Sequence, residues 1–192
     1  MHPSPNRIPW RWVSIQAAVA IILRGTPADR EVLLIERAVR TDDPWSGDIA
    51  LPGGRRQKAD RNLGATARRE TEEETGLNMG GLSVVGWQPA HLTQAHRQRR
   101  PMAVHPAVFV WPTHRVARFT LEAKEATDAF WLPLAELQDP ANVTRRPWGV
   151  GPVTISAPAW SVDGRIIWGL THSILTKLLK DSRFLTPQTP QS

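Results

Sequence analysis

The chain has 192 residues with 41% hydrophobic content, enough for one domain with a sizeable core. It has no cysteine, which excludes a disulfide framework, a thiolate metal site and a thiol nucleophile and makes the cytoplasm the default expectation. A formal net charge of +6 raises the local concentration of anionic ligands such as phosphates and nucleotides, but names no reaction.

Residues 1–12, rich in Pro and Trp, read as an N-terminal arm; the domain is expected over 13–181 and a disordered tail over 182–192. Residues 13–23 read as a buried strand. This run follows Arg7 and Arg11, but it contains Ser14 and Gln16, lacks a cleavage site, and is short of the ~20 apolar residues that cross a bilayer. A second strand is expected over 31–36, after the turn-forming Gly25-Thr26-Pro27. A polar loop over 40–47 leads to a short strand over 49–51, which Pro52-Gly53-Gly54 breaks. Residues 63–75 are good helix formers without Pro, and Gly76 stands where a C-cap glycine belongs. Residues 82–87 and 103–111 read as strands, with the basic stretch 96–100 as the loop between them. Another strand is expected over 129–132, ended by Pro133, with a short helix over 134–137. Residues 153–155 and 165–168 read as extended, and 170–180 as an amphipathic helix. Without repeats or long linkers, the pattern predicts an α/β (α+β) domain with a mixed β-sheet between α-helices.

The densest chemistry lies in the helix over 63–75. Glu70, Glu73 and Glu74 fall at i, i+3 and i+4, which on an α-helix puts them in one arc of about 100°, while Glu72 points away. Like charges at that spacing cost roughly 0.2–0.5 kcal/mol per pair. An acidic run alone is most often a solvated face; clustered without an interleaved cation, it also suits a hard divalent ion. Mg²⁺ is commonly held by one or two carboxylates plus substrate phosphates. Just upstream, Leu51-Pro52-Gly53-Gly54 allows a close backbone approach to a ligand.

Together these residues resemble the Nudix box, usually written G-x5-E-x7-R-E-U-x-E-E-x-G-U with U aliphatic. Gly54, Arg69, Glu70, Glu73, Glu74, Gly76 and Leu77 match it. Asp60 stands at the first acidic place with one extra residue before Arg69, and Thr71 replaces the first aliphatic. The resemblance implies the Nudix fold and a Mg²⁺- (or Mn²⁺-) dependent hydrolase that attacks a diphosphate linkage with water. It implies Glu70 and Glu74 as metal ligands, Glu73 as a further ligand or catalytic water-binding group, and the Gly54 backbone facing the metal. Arg69 is implied to orient the box carboxylates. The general base is either a box glutamate or a later loop carboxylate, for which Glu125 is the first candidate and Asp128 the next.

Within the family, the stretch Gly47-Asp48-Ile49-Ala50-Leu51-Pro52-Gly53-Gly54 and the longer Asp60-to-Arg69 spacing are similar to the coenzyme A diphosphatase branch. Phe130-Trp131-Leu132-Pro133-Leu134 and Ile167-Trp168-Gly169-Leu170-Thr171 resemble its later landmarks. The upstream part departs from the branch: Leu33-Leu34-Ile35 replaces its L-L-T, and Arg40 lies seven residues before Gly47. The branch implies cleavage of CoA or acyl-CoA to 3′,5′-ADP and (acyl-)phosphopantetheine. Arg37, Arg40, Gly53 and Gly54 are then the expected substrate-binding residues, and His96, Arg97, Arg99 and Arg100 are further candidates for the 3′-phosphate. ADP-ribose, dinucleotides and nucleoside triphosphates are alternative substrates. A nucleotide-sensing module would be expected to lack box carboxylates, and the basic charge is unaccompanied by an RNA-binding motif. The expected partner is a small nucleotide-diphosphate substrate, with no membrane or nucleic acid, for a monomer or homodimer.

Overall fold

Apolar side chains alternate along the first two strands, and that alternation sets the layering. The computed structural model describes residues 15–41, 45–95, 100–150 and 153–185. The expected arm, residues 96–99 of the basic loop and residues 186–192 lie outside the described residues. In chain order the strands are β1 Ile15–Arg24, β2 Glu31–Arg37, β3 Ile49–Ala50, β4 Gly53–Arg55, β5 Gly86–Trp87, β6 His91–Ala95, β7 Arg100–Val110, β8 Ala126–Pro133, β9 Val143–Val150, β10 Val153–Val162 and β11 Arg165–Trp168. The helices are α1 Leu63–Thr75, α2 Gly169–Leu178 and α3 Ser182–Leu185.

Ile21, Leu23, Val32 and Leu34 point to one face of the main sheet and pack with Ile174, Leu175 and Leu178 of α2. Ala20, Ile22, Leu33 and Ile35 point to the other and pack with Ala67 of α1 and Leu77. The sheet is thus held between α1 and α2, the α+β sandwich expected from the sequence.

Strand β1 runs parallel to β7 from Ile15↔Met102 to Leu23↔Val110. It pairs with β2 only at Leu23↔Val32 and Arg24↔Glu31. Beyond that hairpin end the two strands part. β2 pairs along its length with β8, while β4 pairs with β1 at Ala17↔Arg55, Ala18↔Gly54 and Val19↔Gly53. The parting brings the glycine strip β4 against the centre of the sheet, where α1 also packs. A second sheet, in the order β11-β10-β9, stands against the α2 side.

Four local expectations need correction. Of residues 82–87 only Gly86–Trp87 is strand, because Leu82 N–H closes a turn onto Met79 O just after Gly81, whose φ is +78°. Residues 134–137 form hydrogen-bonded turns rather than a helix, since Pro140 follows before an α-helix can propagate and itself opens a 3-10 turn, Pro140–Asn142. Strand β9 was not expected, as Arg145-Arg146-Pro147 interrupts any apolar alternation; Pro147 is tolerated because β9 is an edge strand. The fold also extends past 181, into the expected tail: Ser182–Leu185 is helical, and Phe184 is buried in the α2-side core beside Gly86.

Candidate active site

Helix α1 has well-defined ends. The Asn62 side chain accepts from Ala65 N–H at 2.9 Å, and Gly76, at φ +66°, closes the last turn onto Glu72 O. Thr71, where the family pattern has an aliphatic residue, is fully buried, and its hydroxyl donates to Ala67 O at 2.7 Å. A polar side chain is therefore accommodated at an apolar position by its own helix.

Glu74 turns inward against the glycine strip. It is 5% exposed, and its Oε2 accepts from Gly53 N–H at 2.8 Å. Burial pushes its carboxyl up to about 8, against the opposing pull of that N–H. Glu70 lies on the same side, one helical turn earlier. A Cβ on Gly54 would stand 2.5 Å from its carboxyl carbon, so any side chain there would push the Glu70 carboxylate out of its present place. Burial raises Glu70 as well, and Arg69 works against that rise.

Arg69 is the hub of the remaining acids. Its Nε and Nη2 donate to the two Asp60 oxygens, each at 3.0 Å. Nη2 also reaches Glu70 Oε1 at 2.9 Å, and Nη1 reaches Glu73 Oε2 at 2.8 Å. Asp60 is buried and further held by Gln57 N–H and the Thr66 hydroxyl. The Arg69 guanidinium keeps its carboxyl well below the usual range. Asp60 thus pins Arg69, and Arg69 aligns Glu70 and Glu73. Glu73 is half-exposed, and Glu72 faces elsewhere, accepting from Met79 N–H at 2.8 Å.

Among the loop carboxylates, Glu125 is paired with Arg40 Nη2 at 3.0 Å, and Arg40 Nε also donates to Lys124 O. The charge of Glu125 is felt at Glu74, as is the opposing charge of Arg37. Asp128 is engaged elsewhere: one oxygen pairs with Arg165 at 2.7 Å and the other accepts from Ala129 N–H.

Gly53, Gly54, Arg37, Arg40 and Arg55 border a cleft of about 690 Å³ on the α2 side of the sheet. That is within the ~300–1,000 Å³ usual for ligand sites. Sequence reasoning missed most of its other wall. Trp45, Trp148 and Trp168 form a cluster there, with Trp45 and Trp148 stacked at 5.2 Å and 16°. Asp48 accepts from Arg146 at 2.7 Å and from Trp168 Nε1 at 2.9 Å, tying β9 and β11 to the cleft. The nine tryptophans in a chain without tyrosine were the available signal.

The residues present fit a divalent cation. Glu74 is a buried carboxylate raised by burial and opposed chiefly by one backbone N–H, from Gly53, and Glu70 stands against bare glycine backbone. Among the described residues no three His, Asp or Glu side chains converge into a complete cage. A site of few carboxylates, completed by water and substrate phosphates, is the usual one for Mg²⁺.

Residues 14–149 match the family model described as the NUDIX domain, and the chain belongs to the Nudix family. It is 31% identical over 180 residues to the mitochondrial coenzyme A diphosphatase NUDT8 of Homo sapiens, covering 91% of this chain and 71% of that protein. It is 35% identical over 68 residues to peroxisomal coenzyme A diphosphatase 1 of Saccharomyces cerevisiae, covering 35% of this chain and 20% of that one. The chain spans 35%, 28% and 28% of the length of three further curated relatives. Its fold is shared with the Nudix hydrolase RenU of M. smegmatis, at a TM-score of 0.55 and 15% identity, over 94% of this chain and 92% of that one. Among the described residues no helix is long and apolar enough to cross a membrane.

Proposed function

We propose that this chain is a Mg²⁺- or Mn²⁺-dependent hydrolase that cleaves the diphosphate of CoA or acyl-CoA into 3′,5′-ADP and (acyl-)phosphopantetheine. The observation that carries the reading is the pair Glu70 and Glu74, held on α1 directly against the Gly53-Gly54 strip that borders the cleft. The branch-like stretch from Gly47 to Gly54 and the two relatives named as coenzyme A diphosphatases support the substrate.

In this reading Glu70, Glu74 and the Gly54 backbone hold the ion, with Glu73 as a further ligand or water-binding group. The bound ion supplies Lewis-acid stabilisation of the phosphoryl oxygens and a lowered pKa for water. Arg69, fixed by Asp60, keeps the carboxylates aligned. Arg37 and Arg40, with Arg55, meet the substrate's phosphates. The proton of the attacking water goes to a box glutamate or to a loop carboxylate, Glu125 first and Asp128 next; both loop acids are ion-paired, to Arg40 and Arg165 respectively. The chain works as a monomer or homodimer, and its lack of cysteine suits a reducing compartment such as the cytoplasm.

The deciding test is a substrate screen with CoA, ADP-ribose, a diadenosine polyphosphate and nucleoside triphosphates, each at matched Mg²⁺, with products identified by mass spectrometry. The reading expects CoA to have the highest kcat/KM and to yield 3′,5′-ADP. Rapid ADP-ribose cleavage without CoA cleavage would replace the substrate and leave the catalytic centre standing.

A further inference from the structure

Helix α2 starts at the cleft, and its first turn is left open. Trp168, which precedes it, makes no side-chain capping hydrogen bond; its indole N–H is given to Asp48 at 2.9 Å. Gly169, Leu170 and Thr171 follow, and all three line the cleft. The opening N–H groups of an α-helix have no acceptor within the helix, and among the described residues these three meet none in a turn, a loop or a capping side chain. Gly169, at φ +62°, has open space where a side chain would begin.

The Thr171 side chain sets this helix start apart. It is only 8% exposed, it lines the cleft, and its hydroxyl has no hydrogen-bond partner among the described residues. The other buried threonines all have one: Thr66 donates to Asp60, Thr71 to Ala67 O and Thr75 to Thr71 O. A buried hydroxyl without a partner is unfavourable unless an occupant of the cleft supplies it. A helix N-terminus carries roughly half a positive charge, so its N–H groups and a hydroxyl together suit an oxyanion. Asp48 lies close by, but Arg146 offsets its charge at 2.7 Å, and that guanidinium stands 4.2 Å from the Trp168 ring centre.

We propose that the N-terminus of α2, with the Thr171 hydroxyl, binds a phosphate monoester separate from the diphosphate, and that in coenzyme A this is the 3′-phosphate. The proposal rests on the coenzyme A reading and deepens it. Arg37, Arg40 and Arg55 keep the diphosphate, and the second phosphate is carried on the same ribose, so no long arm intervenes between the two positions.

The test compares CoA with 3′-dephospho-CoA, which differ only in this group, using the full chain at saturating Mg²⁺. The wild type is expected to prefer CoA by at least ~10-fold in kcat/KM, carried by KM. Thr171→Val, which removes the hydroxyl and keeps the side-chain shape, is expected to lower that ratio about tenfold, and Thr171→Ser to retain it. By calorimetry, the wild type is expected to bind adenosine 3′,5′-bisphosphate at least ~10-fold more tightly than AMP. Equal kcat/KM for the two substrates, or a ratio that Thr171→Val leaves in place, overturns the 3′-phosphate assignment while CoA cleavage stands. Equal affinity of the wild type for the two nucleotides overturns it without recourse to a variant. Cleavage of ADP-ribose with neither CoA species cleaved overturns the coenzyme A reading and this inference with it.

Discussion

Asp60 and Glu74 are both almost fully buried carboxylates, yet their surroundings give them opposite characters. Asp60 has a bidentate guanidinium, a backbone N–H and a hydroxyl, and stays ionised; Glu74 has one N–H and is pushed up to about 8. Removing the charge therefore has opposite consequences. Asp60→Asn leaves Arg69 part-buried without its main partner and is expected to cost about 3 kcal/mol by urea unfolding. Because the folded Asp60 pKa lies below its unfolded value of about 3.9, its contribution is present above that pH and is lost as pH falls. The Asn variant should accordingly show a shallower acid-side loss of stability. Glu74→Gln, by contrast, buries a neutral group in the same hydrogen bond. Without added metal it is expected to melt at or above the wild-type temperature, while kcat/KM falls by at least the ~100-fold that outer partners of a metal site can contribute. The acidic triad was legible in the sequence because helical spacing is local. The Asp60 pairing was not, since it depends on the path of the loop between β4 and α1, and no local rule fixes the extra residue before Arg69.

At the scale of elements, β4 and α1 form the proposed centre by pressing two glycines against a row of carboxylates, and the two glycines are expected to respond differently. Gly53 has φ +157°, and a Cβ there would meet Ala18 O at 2.4 Å and Val19 Cα at 2.5 Å, both unyielding backbone. Gly53→Ala is expected to cost about 2–4 kcal/mol, read as a shift in denaturant midpoint. On Gly54 the same methyl would meet the end of the Glu70 side chain, which can swing aside for about 1 kcal/mol of rotamer strain. Gly54→Ala should stay folded and lose turnover, and a variant that kept both would detach Glu70 from the proposed chemistry. Helix α1 was readable to its last residue from good helix formers, the absence of Pro and Gly76. β9 was unreadable for the opposite reason. Its identity comes from pairing with β10, and its tie to the site comes from Arg146 meeting an aspartate 98 positions away along the chain.

Across the whole molecule, the two faces of one sheet divide the work: the α1 face carries the acids, and the α2 face carries the cleft. The second face is joined to the sheet in part through His91 of β6, whose Nε2 lies 3.2 Å from Lys177 Nζ and whose Nδ1 lies 3.5 Å from Ser173 Oγ on α2. Burial, reinforced by the Lys177 charge, lowers the His91 pKa to about 4. A folded pKa below the unfolded value of about 6.5 means that the unfolded chain binds the proton more readily. Stability contributed by neutral His91 is therefore lost as pH falls from about 6.5 towards 4, and His91→Gln should flatten that part of a melting-temperature profile. The sandwich itself was legible from the succession of strand and helix patterns without repeats or long linkers, whereas the tryptophan wall was not, because Trp45, Trp148 and Trp168 meet only through tertiary packing. The central claim joins these levels: α1 carboxylates, set against bare glycine backbone, hold the ion that enables diphosphate cleavage beside the cleft. Its most direct test is CoA turnover by chelator-stripped wild type and Glu74→Gln across a Mg²⁺ titration. The account predicts that the wild type is silent without metal and saturates as Mg²⁺ is added, while the folded variant stays at least ~100-fold slower throughout. Metal-independent turnover, or a variant that matches wild type at saturating Mg²⁺, would contradict it.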